Sequence, residues 1–144
     1  GYVQGFNVYI EEFKTGTIKQ LTRDGTTDII NGTFDWVYEE EFGCRDGFRW
    51  SPDGELIAYW QLDASSIGTH YMINNTDSIY PKVIPIQYPK VGEQPSICKI
   101  GIVDTYTGET DWVVIPDAKA DNYIPAIQWI ENSKILTIEV KAND

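Results

Sequence analysis

Apolar and polar residues alternate in short runs along this chain, and the runs come in pairs. Asn7-Val8-Tyr9-Ile10-Glu11-Glu12-Phe13 has a period of two and predicts a strand. Lys14-Thr15-Gly16 has turn chemistry, and residues 17–22 predict the partner strand of a hairpin. Residues 23–28 read as loop. Phe48-Arg49-Trp50 opens another strand, which Ser51-Pro52-Asp53-Gly54 ends: Pro presets φ, Asp caps, and Gly takes positive φ. Leu56-Ile57-Ala58-Tyr59-Trp60-Gln61-Leu62 leaves that turn as a buried strand. Residues 64–97 break the pattern. Pro81, Pro85, Pro89 and Pro95 stand among Ser, Gly and Asn, leaving room for short strands at 70–73 and 83–87. From Lys99 the pattern returns, with strands at 99–104 and 111–115 about a Tyr106-Thr107-Gly108 turn. A Trp-bearing strand follows at 126–129, then a turn at Glu131-Asn132-Ser133 and a strand at 135–140.

The two halves repeat. Thr15-Gly16 matches Thr107-Gly108 at an offset of 92, and Trp50 matches Trp129 at an offset of 79. Each unit holds a Thr-Gly hairpin and a Trp-bearing hairpin, and four short antiparallel strands per unit predict a β-propeller blade. The fold class expected is therefore all-β: a partial β-propeller, about two blades' worth of four-stranded antiparallel sheet. Residues 7–22 are the outer half of one blade. Residues 48–115 are a full blade with an irregular excursion at 64–97, and 126–140 are the inner half of the next. A propeller needs at least four blades to close. The chain also begins at Gly1-Tyr2-Val3 without methionine and closes on Lys141-Ala142-Asn143-Asp144 directly after a strand-like run, so both ends read as cut.

The offsets differ by 13 residues, so the connection from Gly16 to Trp50 is that much longer than its counterpart from Gly108 to Trp129. The extra length holds Thr33-Phe34-Asp35-Trp36-Val37-Tyr38-Glu39-Glu40-Glu41-Phe42. In blade order this joins the outer strand of one blade to the inner strand of the next, where an insertion reaches the mouth of the central channel. Three adjacent carboxylates repel one another. One reading is a solvated acidic bulge; the other is a cation held between two of them. On a strand Glu40 and Glu41 would point to opposite faces, whereas in a helical turn neighbours diverge by about 100°. A shared cation therefore predicts a short helix or turn rather than a strand within 33–47, with Asp35 in the N-cap region and acidic residues favoured by the helix dipole.

Composition narrows the class. Of 144 residues 42% are hydrophobic, enough for a real core in one domain, and five Trp, nine Tyr and five Phe favour strands. With 22 acidic against 11 basic residues the formal net charge is −11, which argues against nucleic acid or anionic lipid as partner; it attracts cationic ligands, and plain solubility explains it equally well. No apolar run reaches membrane-spanning length, and no signal peptide is visible. Cys44 and Cys98 lack a metal-site spacing and are either a disulfide or two buried thiols. Adjacent glutamates also lack the spaced oxygen ligands of a calcium loop, so no metal and no cofactor are expected.

Three stretches resemble the propeller domain of the dipeptidyl peptidase IV family, of the prolyl oligopeptidase class of serine peptidases. They are Asp35-Trp36-Val37-Tyr38-Glu39-Glu40-Glu41, then Trp50-Ser51-Pro52-Asp53-Gly54 with Ile57-Ala58-Tyr59, then Tyr80-Pro81 with Tyr88-Pro89-Lys90-Val91-Gly92-Glu93. The glutamate run followed by Tyr-Pro-Lys-x-Gly-Glu is the specific part. The resemblance implies an eight-bladed propeller capping an α/β-hydrolase domain. It also implies release of X-Pro and X-Ala dipeptides from free peptide N-termini, and a bacterial parent in the periplasm or cell envelope. It assigns binding of the substrate α-amine to Glu40 and Glu41, with Glu39, Tyr38 and Arg45 as supporting residues. Partners implied are a peptide with a free N-terminus, the hydrolase domain of the same chain and a second copy through the excursion, with no membrane contact from this segment.

Other residues carry no chemistry on this reading. There is no Gly-x-Ser-x-Gly elbow, so no catalytic residue is expected in this chain. The single histidine, His70, reads as a surface or strand residue. Trp50 and Trp129, at equivalent repeat positions, are expected in the core, and Tyr80 and Tyr88 along an extended arm. Ala126 stands after Tyr123-Ile124-Pro125 where many relatives carry arginine. Asn31-Gly32-Thr33 and Asn74-Asn75-Thr76 match the glycosylation pattern. The alternative function is a non-catalytic peptide- or protein-binding propeller of a member lacking the nucleophile.

Overall fold

The structure, a computed structural model, describes residues 1–116, 119 and 121–142; Asn143 and Asp144, at the end read as cut, lie outside them. Twelve strands and one short helix make up the described residues. β1 (Tyr2–Gln4), β2 (Asn7–Glu12) and β3 (Thr17–Gln20) form a three-stranded antiparallel sheet. The 7–22 hairpin therefore has a third strand that the alternation pattern did not mark. β4 (Ile29–Asn31) and β5 (Phe48–Trp50) flank α1 (Trp36–Glu40) and pair with β6 (Leu56–Asp63). β7 (Thr69–Asn74) and β8 (Lys82–Gln87) make a separate two-stranded hairpin within the excursion. β9 (Ile97–Asp104) pairs with β6 over its whole length and with β10 (Thr110–Trp112) at its edge. β11 (Tyr123–Trp129) and β12 (Leu136–Lys141) close the chain as a hairpin.

The central sheet, β10-β9-β6 with β4 and β5, is packed on both faces, as the unbroken apolar run of β6 requires. The pleat sends alternate residues to opposite sides. Ile57 and Tyr59 join Val8, Leu21 and Val103 in a core against the first sheet. Ala58, Trp60 and Leu62 join Ile100, Ile124, Ile127 and Trp129 in a core against the last hairpin, and Phe34 and Tyr38 of the acidic segment enter the same cluster. The central sheet thus lies between the first sheet and the last hairpin.

Two expectations are corrected. The long segment does not merely precede the inner strand; it interrupts it. β4 pairs with the far end of β6 (Asn31 opposite Gln61) and β5 with the near end (Phe48 opposite Tyr59), so one strand line is split and residues 33–46 loop out of its middle. β4 has three residues, too few to show a period. Trp50, expected in the core, is 39% exposed, whereas Trp129 is buried. The apolar cluster on the Trp50 face reaches only as far as Phe48, while Trp129 donates its indole N–H to the Arg49 carbonyl at 3.0 Å.

Candidate functional site

The neck of the insertion is built from two glycines. Gly32 N donates to Trp60 O at 2.9 Å, Trp60 N to Gly47 O at 3.0 Å, and Gly47 N to Gly32 O at 3.1 Å. A Cβ on Gly47 would lie 2.3 Å from the Gly32 carbonyl carbon, and one on Gly32, whose φ is +71°, would lie 2.5 Å from Val8 Cγ2. No other residue lets the chain leave and rejoin the strand in so small a space.

Above the neck, α1 is held by its surroundings, since a helix of five residues does not sustain itself in water. Asp35 is its N-cap: Oδ1 accepts from Tyr38 N at 3.1 Å, and Oδ2 accepts from the Ser96 hydroxyl just ahead of β9. Trp36 packs edge-on against Tyr88 of the excursion, ring centroids 4.5 Å apart. Tyr38 is buried and its hydroxyl accepts from Ile124 N of β11 at 3.0 Å. Phe42 packs against Tyr123 with ring centroids 5.0 Å apart, and Cys44 N donates to Tyr38 O at 2.9 Å.

This scaffold presents the three glutamates differently. Glu39 is half-buried and paired with Arg45 at 3.5 Å. Glu40, the last helical residue, and Glu41, the C-cap, are exposed, and neither has a salt-bridge partner among the described residues. Arg45 thus neutralises the first carboxylate and leaves the other two open. Burial first, and then the charges of Asp35, Asp121 and Glu41, push the Tyr123 phenol pKa up. The cleft of about 440 Å³ beside the helix is lined by Asp35, Trp36, Ile30 and Gln87 and not by the glutamates. Chemically, the segment presents two carboxylates to solvent with no salt-bridge partner among the described residues.

Several supporting residues carry no local sequence signal. Ser96, Tyr123 and Ile124 lie 55 or more positions from the glutamates, and only the fold brings them in. Gly32 and Gly47 were legible as glycines but not as a pair. His70 is exposed on β7 near Tyr88, with ring centroids 6.0 Å apart. Tyr80 is exposed and Tyr88 half-buried. Cys44 and Cys98 are free thiols, both half-buried against the second core. Asn31 is wholly buried, which removes it as a glycan acceptor.

Comparison with known proteins gives a single answer. The family model described as the dipeptidyl peptidase IV N-terminal region matches residues 1–142. The chain is 33% identical over 150 residues to dipeptidyl aminopeptidase B of Saccharomyces cerevisiae, covering 99% of this chain and 18% of the relative. It is 31% identical to dipeptidyl peptidase 4 of Sus scrofa, covering 93% and 19%, and 32% identical to the prolyl endopeptidase FAP of Mus musculus, covering 93% and 18%. The crystal structure of Porphyromonas gingivalis dipeptidyl peptidase 4 superposes with a TM-score of 0.89 at 34% identity, over 96% of this chain and 20% of that one. The chain therefore spans about a fifth of the length of the relatives it matches, and it belongs to the dipeptidyl peptidase IV N-terminal region family.

Proposed function

We propose that this segment is the substrate-gating, N-terminus-recognising part of the propeller of a dipeptidyl peptidase that releases X-Pro and X-Ala dipeptides by serine-peptidase chemistry. The segment contributes recognition; the triad belongs to the α/β-hydrolase domain of the same parent chain. One observation carries the reading. Glu40 and Glu41 stand exposed, without a salt-bridge partner among the described residues, on a short helix pushed out of a strand, while Phe34, Tyr38 and Phe42 pack inward and hold that helix.

The chemistry follows. A peptide α-amine has a pKa near 8 and is mostly cationic at neutral pH. Two carboxylates offer charge-assisted hydrogen bonds to its protons. A blocked or longer peptide leaves those carboxylates unpaired, which penalises the wrong substrate. The glutamates act as a ruler that sets the distance from N-terminus to scissile bond, while Glu39 stays with Arg45.

The test compares Gly-Pro and N-acetyl-Gly-Pro anilides on the full-length protein. Turnover of the first and rejection of the second is the expected result. Equal turnover of both would fit an endopeptidase, the activity named for one relative. Tight binding of Gly-Pro peptides with no turnover would fit the non-catalytic propeller instead.

A homodimer is the second proposal. The β7–β8 hairpin, two-stranded among the described residues, exposes Tyr71, Ile73 and Val83 on one face, an apolar surface of the kind that partners cover.

A further inference from the structure

Tyr38 sits one residue before the glutamate run but does not share its exposure. It is 1% exposed, and it tethers α1 to another blade through its hydroxyl, which accepts from Ile124 N at 3.0 Å. Its ring stacks on Phe34 at 5.5 Å and meets Tyr123 edge-on at 5.9 Å. Its carbonyl accepts from Cys44 N, which turns the chain back after the glutamates. A helix advances about 100° per residue, so Glu40, two residues on, lies roughly opposite Tyr38. Burying Tyr38 against β11 therefore fixes the direction in which Glu40 leaves the helix. At the other end, Asp35 ties the same helix to Ser96 of its own blade. The insertion is thus strapped across two blades.

We propose that Tyr38 is a positioning residue for amine recognition, its hydroxyl locking the glutamate-bearing helix onto Ile124 of the next blade. This rests on the assignment of Glu40 and Glu41 as the amine-binding pair. Without the hydroxyl the Ile124 N–H loses its buried partner, and the helix loses its direct polar bond to β11, which the Cys44 thiol, 3.5 Å from the Pro125 carbonyl, does not replace. Substrate affinity then falls while the hydrolytic step, carried out by other residues, does not.

The experiment uses the full-length protein and Gly-Pro anilide. Tyr38→Phe is expected to raise KM about tenfold with kcat within about twofold of wild type. Tyr59→Phe is the control. It also removes a buried tyrosine hydroxyl, one that reaches Thr110 and not the insertion, and it is expected to leave KM unchanged. The deciding arm places Tyr38→Phe in a Glu40→Gln/Glu41→Gln background and reads kcat/KM at high enzyme concentration. If Tyr38 acts through the glutamates, its effect disappears there. A KM unchanged by Tyr38→Phe, an equal effect of Tyr59→Phe, or a Tyr38→Phe loss that persists undiminished in the glutamate-free background would each overturn the proposal. If Glu40→Gln/Glu41→Gln itself keeps wild-type KM, the amine-binding assignment fails, and the positioning role with it. That result is separable from the others because it does not involve Tyr38.

Discussion

Gly32 and Gly47 both stand opposite Trp60, and they meet each other through a Gly47 N–H donating to the Gly32 carbonyl at 3.1 Å. One residue of β6 thereby serves two residues of the interrupted strand. The ladder resumes as though residues 33–46 were absent. Gly47→Ala would put a Cβ 2.3 Å from the Gly32 carbonyl carbon. It is expected to cost about 2–4 kcal/mol of stability, in the range of strained or overpacked sites. Gly43→Ala, within the insertion where a Cβ meets nothing within 4 Å, should cost only about 1–2 kcal/mol from its positive φ. The melting temperatures of the two full-length variants provide the comparison, and equal shifts would contradict the account of the neck.

Asp35 makes two bonds with one carboxylate, to Tyr38 N and to the Ser96 hydroxyl. Asp35→Ala is expected to lower stability by about 1–2 kcal/mol, as for other lost N-caps, and to speed amide exchange at Tyr38 and Glu39. Asp35→Asn keeps an acceptor oxygen and should lose less. Hydrogen exchange read at those two amides distinguishes the variants.

The two thiols give a reactivity prediction. Burial, ahead of the nearby Asp35 and Cys44, pushes the Cys98 thiol up to about 12, and burial also raises Cys44. A raised thiol pKa means less thiolate at any given pH, and the thiolate is the nucleophile. At pH 8 both cysteines should therefore resist iodoacetamide in the native protein and label rapidly in urea. Mass spectrometry of the labelled peptides settles it, and fast native labelling of Cys98 would contradict its inward placement.

If the β7–β8 hairpin is a dimer surface, a charge in its exposed apolar face should separate the copies. Ile73 is 65% exposed, so Ile73→Lys disturbs little inside the chain. Sedimentation of the full-length protein is expected to shift from dimer to monomer; an unchanged dimer would place the contact elsewhere.

Much of this architecture was legible because it is local. The Thr15-Gly16 turn, the Ser51-Pro52-Asp53-Gly54 turn and the two-faced burial of β6 follow from neighbouring residues, and the repeat turned them into blades. A cation shared by adjacent carboxylates asks for a helix or turn within 33–47; the structure has a five-residue helix, Trp36–Glu40, capped by Asp35. The position of the insertion did not follow. The extra residues between Gly16 and Trp50 show in the repeat offsets, whereas the membership of Ile29–Asn31 in the strand line of β5 depends on pairing with β6. Trp50 is exposed although the repeat equates it with the buried Trp129, because burial depends on how far the neighbouring sheet extends. The Tyr38–Ile124 bond spans 86 positions, beyond the reach of any local signal.

The central claim is that Glu40 and Glu41 bind the substrate amine. The direct measurement is kcat/KM for Gly-Pro anilide by the full-length protein carrying Glu40→Gln or Glu41→Gln, with circular dichroism as the check on folding. The account predicts a fall of about 30-fold or more in each variant, the scale of truncating one partner of a hydrogen-bonded charge pair, with an unchanged spectrum. Wild-type kcat/KM in both variants would contradict it.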